Sequence, residues 1–278
     1  MYDRILVPVD GSKFSEEVIP YARGVAGATG ARLTLLRVAD KDAKRVEVQR
    51  YLDALAAGLG AETRTVTSGG DVSADILEEA NRVPGTLVAI TSHGRGGVPS
   101  VMLGSVARNL VRSGHAPVFV YRPGGTPVDR HDPIRIKTVL LPLDGSSLSE
   151  TAQAEAGAWA RALGANVVVV QVLPANVYID PMLASYDVLE DSYVRWHAHA
   201  IEREFGVGVD WEVLHGDPAI SISNFLEGRR DVLVVMATRG HAALPAAVLG
   251  SVTSGLLRQA GAPIVVHAPE RESLRRSA

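Results

Sequence analysis

The second half of the chain repeats the first, and this duplication constrains the fold more than any other feature. Two glycine-containing segments, SHGRGGVPSVMLGS (92–105) and TRGHAALPAAVLGS (238–251), have the same outline and lie 146 residues apart. The stretches that begin at their last serines, SVARNLVRSGHAPVFVY and SVTSGLLRQAGAPIVVH, are identical at 7 of 17 positions without a gap. The 278 residues therefore divide into two copies of about 140 residues, a common domain size.

Each copy alternates apolar segments rich in valine, isoleucine and leucine with helical ones. The predicted strands are 4–10, 31–38, 62–68, 86–92 and 117–122, and then 137–144, 165–173, 208–216, 231–237 and 263–267. The predicted helices are 15–28, 43–58, 72–82 and 105–113, and then 148–163, 184–204, 218–228 and 251–259. Continuously apolar strands that alternate with helices are typical of parallel βαβ units. We therefore expect an α/β protein with two tandem flavodoxin-like or Rossmann-like domains, each a five-stranded parallel sheet with helices on both faces.

The predicted domains are 1–124 and 137–268. Between them the stretch RPGGTPVDRHDPIRI is rich in proline and glycine, which predicts a linker at 125–136. The final stretch, PERESLRRSA, predicts a frayed polar tail at 269–278. The last strand of each copy is an apolar edge, so we expect the two copies to pack through these strands as an internal pseudo-dimer.

Composition excludes several classes of protein. The chain has no cysteine, which excludes disulfides, thiolate catalysis and cysteine metal sites. The net charge of −3 lacks the basic excess of a nucleic-acid-binding protein, so no nucleic-acid partner is expected. The apolar runs are shorter than the roughly 20 residues that cross a bilayer, and the N-terminus MYDRILVPVD lacks a signal-peptide pattern. We expect a cytoplasmic protein without membrane contact.

The glycine-containing segments follow predicted strands and precede predicted helices. Because glycine lacks a Cβ atom, such a loop lets a ligand approach backbone N–H groups closely. In the first copy Gly104 and Ser105 stand at the start of a helix, where the helix dipole favours an anion. Asp10 ends the first strand at the same edge of the sheet, where open α/β sheets bind ligands. The pattern favours a phosphate-binding loop with Asp10 as an acceptor for a ribose or base, although turns and helix caps alone also use glycine and aspartate.

At these residues the chain resembles the universal stress protein family, in its tandem form with two domains in one polypeptide. The family's nucleotide motif, G-x2-G-x9-G-[S/T], is matched over 91–105 and again over 237–251. The first glycine of the motif is replaced by Thr91 in one copy and by Ala237 in the other. Either residue is tolerated if φ is negative there, and otherwise the pocket is altered.

The resemblance implies adenine nucleotide, ATP with or without Mg2+, as the cofactor. It implies that Asp10 and Asp144 contact the adenosine part and that Val38 and Val172 line the adenine slot. It also implies that each Gly-Ser pair and the two residues after it bind phosphates. The full set of expected cofactor-binding residues is Pro8, Val9, Asp10, Val38, Gly94, Gly97, Gly104, Ser105, Val106, Pro142, Asp144, Val172, Gly240, Gly250, Ser251, Val252 and Thr253.

The two copies differ within this set. Thr253 supplies a hydroxyl that Ala107, its counterpart, lacks. The RGG of the first loop is more open than the HAA of the second. We favour the first copy as the better site.

Two other features of the sequence are interpreted as structural. Tyr193, Trp196 and Ile201 are predicted to form a packing stripe on one helix. HGDPAI (215–220) predicts a turn after the third strand of the second copy, with Pro218 in the first turn of the next helix, where its missing N–H costs little.

The sequence contains no P-loop, nucleophile elbow or metal-ligand motif, so we predict neither catalytic residues nor a metal site. The leading hypothesis is an ATP-binding stress-response protein. It would act as a nucleotide-dependent sensor or switch, through an unknown protein partner or by forming a homodimer. The alternatives are a nucleotide-independent scaffold with a vestigial pocket and a slow ATP hydrolase, so enzymatic activity is expected to be weak at most.

Overall fold

A computed structural model describes residues 1–40, 45–92, 103–113, 116–124, 127–175, 191–237 and 249–267. The chain forms two compact units, Met1–Arg135 and Ile136–Ala278. None of the helices in the described ranges is long and apolar enough to cross a bilayer.

The first unit is a parallel sheet with helices between its strands. The strands are β1 (Arg4–Pro8), β2 (Arg32–Ala39), β3 (Glu62–Thr67), β4 (Thr86–Thr91) and β5 (Val118–Tyr121). The helices are α1 (Lys13–Glu16), α2 (Ile19–Thr29), α3 (Arg45–Ala56), α4 (Val72–Asn81) and α5 (Ser105–Ser113). β1 pairs with β2 and β4, β2 with β3, and β4 with β5, always in parallel, which gives the order β3-β2-β1-β4-β5.

The second unit repeats this arrangement. Its strands are β6 (Thr138–Leu143), β7 (Asn166–Leu173), β8 (Val209–His215), β9 (Val232–Ala237) and β10 (Ile264–His267). Its helices are α6 (Ser147–Glu150), α7 (Ala152–Leu163), α8 (Ser192–Phe205), α9 (Pro218–Phe225) and α10 (Ser251–Gln259). The parallel pairings give the order β8-β7-β6-β9-β10. The predicted α/β fold with two tandem domains is confirmed, and both units have the order of the first five strands of a Rossmann sheet rather than the flavodoxin order.

Burial of the strands depends on their place in the sheet. β1, β4 and β9 are buried at every position, as their continuous apolar runs predict. The outermost strands differ from that expectation, because β3 and β8 alternate exposed with half-buried residues. An outer strand has a neighbour on one side only and is covered less completely, so it accommodates polar side chains.

Two predicted helices are each divided into two pieces. The helix expected at 15–28 is α1 followed by α2, and the helix expected at 148–163 is α6 followed by α7. Ser12 and Ser146 cap the one-turn pieces, since each hydroxyl accepts a hydrogen bond from the backbone N–H three residues later. The residues predicted as helix before position 191 lie outside the described ranges.

The packing stripe expected on α8 is only partly buried. Ile201 is 1% exposed, whereas Trp196 is 64% exposed. The prediction is wrong for Trp196, because its ring lies edge-on against His197, with 4.6 Å between ring centroids, at the surface of the unit.

The segment 127–135, inside the predicted linker, packs on the first unit. The backbone N–H of Ile134 donates to the carbonyl oxygen of Pro20 at 3.0 Å. The guanidinium of Arg23 donates to two carbonyl oxygens of the segment. Gly24 permits this close approach, because a Cβ atom there would lie 1.8 Å from the carbonyl oxygen of Ile134.

Candidate functional site

The second unit contains a cavity of about 260 Å³ at the carboxyl ends of its central strands. The strand order reverses here, because the chain runs from β6 outward to β8 and then crosses to β9 on the other side of β6. Open α/β sheets bind ligands at such a switch point. The cavity is lined by residues of β6, β7 and β9, of the turn after β6, of α6, and of the N-terminal parts of α9 and α10: Pro142, Leu143, Asp144, Ser149, Val170, Val172, Pro218, Ile222, Met236, Ala237, Gly250, Ser251, Val252 and Thr253.

The cavity wall brings together the residues that the sequence singles out in the second copy. Every predicted second-copy residue except Gly240, which lies outside the described ranges, lines the cavity. Most of the wall is aliphatic, from side chains such as Val172 and Ile222. Polar groups come mainly from the turn that carries Asp144 and from the first turn of α10. Such a surface suits a flat apolar ligand with a few polar groups.

The turn after β6 holds Asp144 in a defined orientation. Ser146 donates to Asp144 Oδ1 from its backbone N–H at 3.0 Å and from its hydroxyl at 2.6 Å. Ser149 Oγ accepts a hydrogen bond from the Asp144 N–H at 3.3 Å. Gly145 has a φ of 82°, a left-handed conformation that favours glycine. The carboxylate is therefore oriented by its own turn.

The first unit builds the same turn after β1. Ser12 donates to Asp10 Oδ1 from its backbone N–H at 2.9 Å and from its hydroxyl at 2.6 Å. Gly11 has a φ of 87°. The Asp10 N–H donates to Ser15 Oγ at 3.2 Å. The agreement of both geometries shows that the Asp-Gly-Ser sequence specifies this turn locally.

Other first-copy residues lie where the repeat predicts. Pro8 and Val9 are buried at the end of β1, and Val38 is half-buried near the end of β2. The Gly104 N–H donates to the carbonyl oxygen of Ser92 at 2.8 Å, which ties the start of α5 to the end of β4. Ser105 and Val106 then form the first turn of α5.

The N-terminus of α10 presents backbone donors. Gly250 is its N-cap residue and supplies no side-chain hydrogen bond, and the side chain of Ser251 is exposed. The first N–H groups of a helix have no partner within the helix, and the helix dipole adds positive potential there. The first turn of α10 can therefore bind an anion next to the aliphatic wall.

Thr253 contributes to the cavity differently from the sequence-based expectation. It is 2% exposed, and its hydroxyl donates to the carbonyl oxygen of Ala237 at 3.2 Å. The hydroxyl proton therefore ties α10 to the end of β9 rather than pointing to a phosphate. The two positions carry the opposite residues in the first unit. There the strand residue is Thr91, the counterpart of Ala237, and the helix residue is Ala107, the counterpart of Thr253.

A sequence profile of the universal stress protein family matches residues 1–53, 41–122 and 135–267. The chain belongs to the universal stress protein family. A universal stress protein of Methanocaldococcus jannaschii is 29% identical over 144 residues, which cover 49% of this chain and 85% of that protein. One from Mycolicibacterium smegmatis is 26% identical and covers 95% of this chain and 97% of that protein.

Solved structures share the fold along the whole chain. A universal stress protein from Archaeoglobus fulgidus has a TM-score of 0.65 at 19% identity, covering 96% of this chain and 99% of that chain. A functionally unknown protein from Pseudomonas aeruginosa PAO1 has a TM-score of 0.69 at 16% identity, covering 100% and 98%.

In this universal stress protein the two residues that replace the first glycine of the motif lie at strand ends. Thr91 is the last residue of β4 and Ala237 the last residue of β9. No residue other than glycine has a left-handed φ in the described part of the chain. Neither position therefore requires glycine, and both replacements are free of backbone strain. The expected cofactor-binding residues that lie outside the described ranges are Gly94, Gly97 and Gly240.

Sequence reasoning missed part of the cavity wall. Pro218 and Ile222 of α9 line it, although HGDPAI had only a structural interpretation. Val170 and Met236 line it as well, and nothing distinguishes them in sequence from other buried strand residues. The position of Pro218 was still informative, because the first turn of a helix that follows a parallel strand lies at the ligand-binding edge.

Proposed function

We propose that this universal stress protein binds ATP at the carboxyl edge of each sheet. The observation that carries the proposal is the second-unit cavity, with its aliphatic wall, oriented carboxylate and helix N-terminus. Its volume of about 260 Å³ is just below the roughly 300–1,000 Å³ usual for small-molecule sites. It suits a nucleoside whose phosphates extend out of the cavity.

Each group in the cavity has a distinct role in this proposal. Asp144 accepts hydrogen bonds from the ribose or the base, with Ser146 holding its carboxylate in place. Val172 and Ile222 contact the purine. Ser251 and the N–H groups of the first turn of α10 bind phosphate oxygens.

Mg2+ would enter this site with the triphosphate. Asp144 is the carboxylate that lines the cavity, and its Oδ1 already accepts two hydrogen bonds. A divalent cation usually keeps several waters and is shared between a carboxylate or two and the nucleotide phosphates. ATP occupancy would then act as a switch that changes binding to a protein partner or formation of a homodimer.

The test is to denature freshly purified protein, quantify released nucleotide, and titrate the stripped protein with Mg·ATP by calorimetry. Asp10→Ala and Asp144→Ala should each weaken one binding event by about tenfold or more, the loss expected for a hydrogen bond to a charged group. Asp210→Ala is the control, because Asp210 is an exposed carboxylate on β8 that does not line the cavity.

The alternatives predict other outcomes. A protein with neither bound nucleotide nor heat of ATP binding is a scaffold with a vestigial pocket, and the proposal fails. Phosphate release above background that Asp10→Ala or Asp144→Ala abolishes would instead identify a slow hydrolase.

A further inference from the structure

A tyrosine and a glutamate meet beside each Asp-Gly-Ser turn. In the first unit, Tyr51 of α3 donates to Glu16 Oε1 at 3.1 Å. In the second, Tyr193 of α8 donates to Glu150 Oε1 at 2.9 Å. Burial raises the pKa of both tyrosines, and the negative charge of the neighbouring glutamate raises it further. Each tyrosine therefore stays a neutral donor at physiological pH. The pair is therefore a repeated feature of the fold.

The second pair is joined through α6 to the turn that carries Asp144. Glu150 is the last residue of α6, the one-turn helix that Ser146 caps. Tyr193 adjoins the same turn, because the Gly145 backbone amide is one of the groups that act on its pKa and partly opposes the rise. The turn is closed by its own hydrogen bonds, and Glu150 stands at the far end of the one-turn helix that begins from it.

The two units differ in the groups that face the glutamate. Glu16 faces permanent cations, with Lys13 Nζ at 3.5 Å and Arg130 Nη1 at 3.8 Å. Glu150 faces a titratable group, because His197 Nε2 lies 3.4 Å from its Oε1. The side chain of His197 is 3% exposed. The first glutamate thus has cationic neighbours at every physiological pH, whereas the charge facing the second depends on protonation.

The first unit shows which residues take the places of His197 and its partner when the histidine is absent. His197 follows Tyr193 by four residues, and Leu55 follows Tyr51 by four. The other ring nitrogen of His197, Nδ1, lies 2.9 Å from Oε1 of Gln153, which comes three residues after Glu150. The residue three after Glu16 is Ile19, and Leu55 and Ile19 are both buried. A polar pair in the second unit, buried His197 and half-buried Gln153, therefore occupies the place of a buried apolar pair in the first.

We propose that His197 is a positioning residue for the second nucleotide site and that it makes the affinity of this site, but not of the first, depend on pH. This inference rests on the proposed function for its ligand, ATP. With Nδ1–H donating to Gln153, the neutral ring has no proton on Nε2. A proton taken up from solvent binds Nε2, which then donates to Glu150 Oε1. Because Tyr193 donates to the same oxygen, protonation weakens the Tyr193–Glu150 bond and shifts Glu150 at the end of α6. Through α6 it shifts the Ser146 cap that holds Asp144, which lowers the affinity for ATP.

The surroundings of the ring set the direction of its titration. Burial lowers the pKa of His197, and the charge of Glu150 on α6 opposes that shift. α7 contributes the neutral Gln153, and α8 itself contributes Tyr193 and Trp196, whose rings lie edge-on to the imidazole. Among the described residues of these helices and of β7 and β8, Glu150 is the charged group that acts on the ring. The imidazole is therefore neutral at neutral pH and takes up its proton on acidification.

The experiment measures the two sites separately in the full chain. Asp10→Ala weakens the first site, so that the second dominates tight binding, and Asp144→Ala does the reverse. Each is titrated with Mg·ATP at about pH 7.5, above the ordinary histidine pKa, and at a pH low enough that the His197 ring resonance shows the imidazole protonated, because burial lowers its pKa. The Asp144→Ala chain also shows how much of the pH dependence comes from protonation of ATP itself, because this contribution is the same in both variants. A third chain adds His197→Leu and Gln153→Ile to Asp10→Ala, which recreates the apolar pair of the first unit.

We expect the affinity of the second site to fall by about fivefold or more on acidification, the lower end of coupling between linked sites. The first site and the chain with the recreated apolar pair should show no such fall after the shared correction. By linkage, ATP should lower the pKa of His197 in return. Equal pH dependence at both sites, or its persistence without His197, would overturn the proposal.

A readout without nucleotide keeps this inference separate from the proposed function. If no chain binds ATP, the proposed function fails, and the Gly145 amide resonance then tests the coupling. It should shift along the same pH curve as the His197 ring in the unsubstituted protein and stay constant in a chain with His197→Leu and Gln153→Ile. A Gly145 resonance that ignores the titration of His197 would show that the histidine does not position the turn.

Discussion

Glu79→Gln should destabilise the first unit by about 3 kcal/mol, the lower end of the cost of breaking a buried ion pair. Arg4 and Glu79 are 5% and 4% exposed, and Arg4 Nη1 lies 3.3 Å from Glu79 Oε1. Arg4 also donates to the carbonyl oxygen of Glu79 at 2.6 Å and to Thr86 Oγ1 at 3.0 Å, so it ties β1 to α4 and β4. Glutamine nearly preserves the volume but leaves the guanidinium buried without a countercharge.

The surroundings of the Arg4–Glu79 pair explain why we expect the lower end of the range of destabilisation. Arg4 keeps its two backbone acceptors in the variant, the carbonyl oxygens of Glu79 and Ala80. Glu79 also pairs with Arg64 at 3.3 Å and Arg82 at 3.6 Å, whose side chains are 46% and 52% exposed. These two arginines lose little when their partner loses its charge, because water solvates them.

Glu78→Gln is the matched control. Glu78 is the neighbouring residue on α4, its side chain is 70% exposed, and its bond to Arg82 at 2.9 Å is a surface ion pair. Such pairs contribute about 0–1 kcal/mol. The comparison therefore separates burial from loss of charge on the same helix.

Urea unfolding with two probes assigns the effect to one unit. All three tryptophans, Trp159, Trp196 and Trp211, lie in the second unit, so their fluorescence follows that unit while circular dichroism follows both. With a slope of about 2 kcal/mol per molar urea, a loss of about 3 kcal/mol lowers the first-unit midpoint by about 1.5 M. If Glu79→Gln and Glu78→Gln differ by less than about 1 kcal/mol, the assignment of a buried, energetically coupled pair is wrong.

Three further predictions concern packing and pH. Gly24→Ala places a Cβ atom 1.8 Å from the Ile134 carbonyl oxygen and should speed proteolysis within 127–135. Gly27→Ala, on the same helix with no atom within 4 Å, should instead add about 0.5–1 kcal/mol of stability, and equal proteolysis of the two variants would contradict the contact. Thr253→Val removes the buried bond to Ala237 and should cost about 1–2 kcal/mol in tryptophan-monitored urea unfolding. Thr253→Ser should stay near the original value, and a loss in Thr253→Ser without one in Thr253→Val would show that the methyl group matters instead of the hydroxyl. The second unit should also lose stability on acidification, because burial lowers the pKa of His197 in the folded state and the unfolded chain takes up the proton first. This contribution is present above the ordinary histidine pKa of about 6.5 and is lost as the pH falls below it. Tryptophan-monitored unfolding measures it, and a chain with His197→Leu and Gln153→Ile that keeps the full loss would place the effect in another group.

Much of the fold was predictable because its signals are local. α5 and α10 begin and end at the residues that the repeat predicts, since each starts at a Gly-Ser pair and ends where the apolar pattern stops. The Asp-Gly-Ser turns are equally local, because each is closed by hydrogen bonds among its own few residues.

The candidate site was predictable only in part. Asp144 and the first turn of α10 follow from motif spacing, but Met236 and Ile222 look like ordinary core residues in the sequence. Nothing local indicates that the hydroxyl of Thr253 bonds to Ala237, or that His197 meets Glu150 across 47 positions of the chain.

By itself, the sequence determined that the protein is two copies of an α/β unit with a glycine turn after the first strand and a glycine-serine helix start after the fourth. Hydrophobic period and turn chemistry are properties of neighbouring residues, so they can be read in order along the chain. The tertiary structure alone decided the Rossmann order of the strands, the walls of the cavity and the partners of each buried polar group. These depend on contacts between segments far apart in sequence, where packing and the requirement to satisfy buried hydrogen bonds select one arrangement.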